Sequence, residues 1–77
     1  MKMYFYEQGT GPNLRIAQVS VEYSDKVDCH ILKIDIGDTQ EILEVFPEEQ
    51  EELYDGRLSE NLRFRIRSAI TEMSKQL

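Results

Sequence analysis

Ser59-Glu60-Asn61-Leu62-Arg63-Phe64-Arg65-Ile66-Arg67-Ser68-Ala69-Ile70-Thr71-Glu72-Met73 is the stretch whose reading decides the fold. Its middle, Leu62 to Arg67, alternates apolar and basic residues as a half-buried strand would. The flanks favour a helix. Ser59 is a good N-cap with Glu60 just inside it, and Ser68 to Met73 continue at helical spacing. Leu58, Leu62, Ile66, Ala69, Ile70, Met73 and Leu77 then recur every three or four residues, one stripe of a long helix over 58–77. Phe64 lies opposite that stripe, and it is expected either to pack against a preceding helix through Leu53 or Tyr54 or to stand exposed beside arginines as a candidate contact residue.

Upstream, Pro47 suits a first helical turn. Glu48, Glu49, Glu51 and Glu52 follow within two turns, the earliest of them favoured by the helix dipole, and Gly56 is placed to end this short helix in an αL C-cap. The four glutamates read as a solvated face, answered by Arg63 and Arg67 one turn apart on the long helix. Charge is sorted along this region: Asp35 to Asp55 carries nine carboxylates and no Lys or Arg, whereas Arg57 to Arg67 carries four arginines and one Glu.

The first 46 residues read as strands. Met3-Tyr4-Phe5-Tyr6 begins one, with Met3 and Phe5 on one face and Tyr4 and Tyr6 on the other. Gly9-Thr10-Gly11-Pro12-Asn13 is turn chemistry. A second strand spans 14–23, where Ala17, Val19, Val21 and Tyr23 alternate with Gln18, Ser20 and Glu22. Leu14 and Ile16 have the wrong parity, so a bulge near Ala17 is expected. After a turn at Ser24-Asp25-Lys26, a third strand spans 27–36. There Val27, Cys29 and Ile31 are odd while Leu32, Ile34 and Ile36 are even, which asks for a second bulge near Ile31. Gly37-Asp38-Thr39 turns the chain into a fourth strand over 41–46. Three short connections in succession imply an antiparallel meander. The expected fold is α+β: a single domain over 1–77, with a four-stranded antiparallel meander and two C-terminal helices packed on one face.

Seventy-seven residues suffice for one core. Cys29 is the only cysteine and His30 the only histidine, so no intrachain disulfide and no closed Cys/His zinc set can form. Met1 to Glu7 lacks the apolar run of a secretory leader, and no stretch approaches a membrane span; the expected location is cytoplasmic. The net charge of −6 disfavours direct binding to a phosphate backbone and suits a basic partner.

Catalysis needs convergent groups of different kinds, and few are available. Cys29 and His30 point to opposite faces of a strand and cannot pair; Cys29 reads as a small core residue. Glu48 to Glu52 lack the spacing of a calcium loop, and Gly9-Thr10-Gly11-Pro12 lacks the Lys and helix of a phosphate loop. The expectation is a protein with no catalytic residues, metal or cofactor, working by contact. Because Tyr4 and Tyr6 fall opposite Met3 and Phe5, a tyrosine is expected on the sheet face turned away from the helices. Tyrosine is a frequent binding anchor, since a rigid ring with a hydroxyl buries much area at low entropy cost. Ser20, Glu22, Asp28 and His30 are expected around the rings on the same face.

The chain resembles the small phage anti-CRISPR proteins, in particular the type I-F inhibitor that docks on the Cas7-type backbone of the crRNA-guided surveillance complex. The resemblance lies in Met1-Lys2 and Tyr6 at the first strand, Phe46 ahead of a short acidic helix, and Tyr54-Asp55-Gly56 at that helix's end. It extends through Arg65-Ile66-Arg67-Ser68-Ala69-Ile70-Thr71-Glu72-Met73-Ser74-Lys75. The likeness spans the whole length in architecture and about a dozen positions in identity. It implies a non-enzymatic inhibitor whose uncovered sheet face binds the complex and blocks target nucleic-acid binding, through tyrosines on the first two strands and an acid on the third. Tyr6 matches the first. The second tyrosine's place falls at Ser20 or Glu22, and the acid is matched by Asp28 or Asp35. A homodimeric interaction module, paired through a sheet edge or the Phe64 face, is the alternative expectation.

Overall fold

In the computed structural model, which describes residues 2–54 and 57–75, one antiparallel sheet carries two helices on one side. The strands are β1 (Lys2–Gln8), β2 (Arg15–Ser24), β3 (Cys29–Ile36) and β4 (Thr39–Glu44), and they lie side by side in chain order. Two helices follow, α1 (Pro47–Tyr54) and α2 (Glu60–Ser74). The α+β meander is thus the observed fold.

Each connection has a local cause. The β1–β2 link holds a single 3-10 turn, Gly11–Asn13, and is opened by Gly9 with φ +87°. A Cβ at Gly9 would sit 2.5 Å from the Asn13 carbonyl oxygen, so only glycine fits. The β2–β3 hairpin closes through Asp25 to Asp28, and Asp28 takes the left-handed conformation that Asp tolerates. Gly37-Asp38 is a two-residue loop between the paired Ile36 and Thr39. Positive φ falls on its first residue, as a type II′ turn requires.

Neither expected bulge is present. The pairing of β1 with β2 and of β2 with β3 runs in unbroken register. Three off-parity residues, Ile16, Leu14 and Val27, are left exposed instead, while Ile31 lies on the uncovered face between its cross-strand partners Glu22 and Glu44 and is nonetheless buried there. Breaking a ladder would leave backbone groups unpaired, which costs more than exposing a few apolar side chains.

The core lies between sheet and helices. Ala17, Val19 and Val21 from β2 and Leu32, Ile34 and Ile36 from β3 meet Leu53 of α1 and Leu62, Ile66, Ala69, Ile70 and Met73 of α2. The ambiguous stretch is therefore helix, and its stripe is the buried one; Leu58 packs at the margin. Ser59 caps α2, its Oγ accepting from Leu62 N–H at 3.1 Å. Leu77 and the expected cap at Gly56 lie outside the described residues. Cys29 is half-buried on the uncovered face and not in the core.

The α1 glutamates are not all solvated. Glu49 is 2 % exposed. Phe46 is the residue ahead of Pro47, so Glu49 occupies the third helical position and reaches back to accept from Phe46 N–H at 2.8 Å, half of a capping box. Its carboxylate also accepts from Arg65 Nη1 at 3.0 Å and Asn61 Nδ2 at 2.6 Å. Arg65, not Arg63 or Arg67, is thus the arginine that answers the acidic helix. Its other nitrogen, Nη2, donates to the Glu44 carbonyl at 2.8 Å, and its guanidinium lies over the Phe46 ring, 4.2 Å from the centroid. One side chain joins the end of β4, the start of α1 and the middle of α2.

Candidate interaction surface

Which face a β1 residue takes follows from its partner on β2. Tyr4 pairs with Val19 and Tyr6 with Ala17, both fully buried under the helices. Tyr4 and Tyr6 therefore lie on the helix-covered side, half-buried against the core, and the Tyr4 hydroxyl is enclosed with no hydrogen-bond partner among the described residues. The expectation that they stand on the uncovered face is overturned. Gln8, of the same parity, confirms the orientation by donating through Nε2 to Thr71 Oγ1 of α2 at 2.8 Å.

The uncovered face carries Met3, Phe5 and Glu7 of β1 instead. Phe5 is 71 % exposed and Met3 51 %, and Ile16 of β2 stands exposed in the adjoining row. Across the sheet, the row of Met3 continues through Ser20 and Lys33 to the exposed Ile42 of β4. Glu7, Glu22, Asp35 and Glu44 complete the face around Lys33, its one described cation by parity. Lys33 Nζ pairs with Glu22 Oε1 at 2.7 Å, both side chains about one-third exposed, so the pair is worth little to stability. Asp35 accepts from Gln40 Nε2 at 2.7 Å. The result is an apolar strip along β1 and the start of β2, bordered by an acidic field.

The remaining expected site residues separate. Glu22 belongs to this face. Ser20 does too, but it is buried, a small side chain flanked by Met3 and Lys33. His30 is on the opposite side: it pairs with Tyr23, packs edge-on to that ring at 5.4 Å, and its Nδ1 accepts from Gln50 Nε2 of α1 at 2.7 Å. Asp28 sits at the hairpin tip, where Oδ1 accepts from the Tyr23 hydroxyl. That bond, followed by desolvation and then by the negative charge of Asp28 and Asp25, raises the Tyr23 phenol from 10.0 to about 12. Asp28 and His30 therefore fix the hairpin and do not join the open face.

Met3 and Phe5 are the residues the sequence reading passed over. β1 has apolar side chains on both parities, so its pattern selects no face. The one available signal was the clear alternation of β2 combined with the length of the Gly9–Leu14 link.

Phe64 is 65 % exposed and is not enclosed against Leu53; the Tyr54 side chain lies outside the described residues. Among the described residues no group of His, Cys, Asp and Glu is arranged to hold a metal ion, and no helix is long and apolar enough to cross a membrane. No family model matches this chain, and no curated protein or solved structure does either.

Proposed function

We propose that this chain is a non-enzymatic binding protein that seats its uncovered sheet face on a CRISPR–Cas surveillance complex and blocks target nucleic-acid binding. The observation that supports a contact function is the apolar strip of Met3, Phe5 and Ile16 on a face that neither helix covers. Exposed apolar side chains gathered in one place and rimmed by polar groups mark interaction sites. Phe5 takes the anchoring role that the sequence assigned to Tyr4 and Tyr6. The acidic border and the net charge of −6 suit a basic surface that otherwise receives nucleic acid. The choice of target rests on the resemblance in the first strand and the closing helix.

The test is a pull-down with purified crRNA-guided complexes, read together with target-DNA binding. Capture by the chain and loss of DNA binding are expected, with both weakened at least about tenfold by Phe5→Ala. Failure to bind any such complex removes the target; inhibition that survives Phe5→Ala combined with Ile16→Ser removes the face.

A further inference from the structure

The side of α2 turned away from the core presents a second surface of different character. Phe64 is 65 % exposed there. Glu60, Arg63 and Arg67 stand exposed around it, and none makes a side-chain hydrogen bond or ion pair among the described residues. A shallow groove of about 500 Å³ runs beside the ring, lined by Arg67, Ser68, Thr71 and Glu72.

We infer that this surface joins two copies of the chain, paired antiparallel through α2 about a two-fold axis between Arg63 and Phe64. The argument is self-complementarity. Glu60, Phe64, Arg67 and Thr71 follow one another at spacings of four, three and four, the seam of helices that pack side by side. In an antiparallel pair, residues equally far before and after the centre meet across the axis. With the axis between Arg63 and Phe64, Glu60 lies opposite the other copy's Arg67, twice by symmetry, and the two Phe64 rings sit one residue's rise apart across the seam. Arg63 is carried beside the opposite ring, where a guanidinium is attracted to the aromatic face. Ser68 and Thr71 are small enough to leave room along the seam.

Charge excludes the other arrangements. A parallel pair would set Glu60 against Glu60 and Arg67 against Arg67. An unrelated acidic partner would answer Arg63 and Arg67 but meet Glu60 with like charge. A second copy answers all three. A single 15-residue helix per copy is a small interface, so the dimer forms at high concentration. Because α2 and the open sheet face lie on opposite sides of the molecule, the pairing leaves both open faces outward and does not depend on the function proposed above.

Sedimentation velocity of the full chain from about 10 µM to about 1 mM tests the inference. The mass is expected to rise from 9.1 kDa toward twice that value. Phe64→Ser should weaken the dimer at least about tenfold. Glu60→Arg and Arg67→Glu should each do the same, and the Glu60→Arg/Arg67→Glu double variant should restore it. Far-ultraviolet circular dichroism checks that these surface variants keep the fold. A wild-type mass of one copy across the whole range overturns the inference. So does a dimer indifferent to Phe64→Ser, or a folded double variant that remains monomeric.

Discussion

A carboxylate in the first turn of a helix is ordinarily a surface group, and Glu49 is enclosed because three donors converge on it: Phe46 N–H, Asn61 Nδ2 and Arg65 Nη1. Removing it strands a partly buried guanidinium and two further donors. Glu49→Ala should therefore cost about 2–4 kcal/mol. Glu48→Ala, one residue earlier and exposed, should stay within about 0.5 kcal/mol; urea midpoints of the two variants measure the contrast. Tyr23 offers a second test at this scale. Its folded value of about 12 lies above the ordinary 10.0. The neutral phenol is thus favoured by folding. The contribution is present in full below pH 10 and is lost as pH rises toward about 12. Phenolate absorbance should show one of the four tyrosines titrating late, and Asp28→Asn should bring it back toward the ordinary range.

At the scale of elements, the turns hold what the strand patterns leave open. Gly37 and Gly9 both have positive φ, but the space around them differs. A Cβ at Gly37 meets nothing within 4 Å, so Gly37→Ala should cost only the conformational strain, about 1–2 kcal/mol. At Gly9 the same Cβ also collides with the Asn13 carbonyl, and Gly9→Ala should cost about 1–3 kcal/mol more. Denaturation midpoints order the two. The Gly9 turn matters beyond its own stability because it sets the β1–β2 register. A slip of one residue would bring Tyr4 and Tyr6 to the open face in place of Met3 and Phe5. The α2 stripe, the run Ala17 to Val21 of β2 and the run Leu32 to Ile36 of β3 were legible in the sequence, since each of these repeats at one clear period. β1 was not, because Met3-Tyr4-Phe5-Tyr6 is apolar at every position. The expected bulges came from requiring every apolar residue to point inward, which a sheet with an open face does not demand.

For the whole molecule, the two sides of the sheet separate stability from binding. Tyr6 packs on the core and Phe5 faces outward. Tyr6→Ala should lower stability by about 2 kcal/mol, whereas Phe5→Ala should leave it within about 0.5 kcal/mol. Only Phe5→Ala should weaken capture of the partner at equal folded concentration, measured by titration against the immobilised complex. If the two effects were exchanged, the open face would not be the docking surface.

The sequence by itself determined the class of fold, an antiparallel meander, the helix stripe, the Ser59 cap and an acidic chain with a single Cys and a single His. These are properties of local periodicity, capping and composition, which neighbouring residues settle among themselves. Only the tertiary structure decided that Tyr4 and Tyr6 turn toward the helices, that Phe5 stands outside, that Glu49 is enclosed by Arg65, and that His30 leans on Gln50. Each of these depends on which strand or helix lies alongside. A side chain's face is fixed by the register of its neighbour, and a charge's burial by donors that arrive from distant parts of the chain.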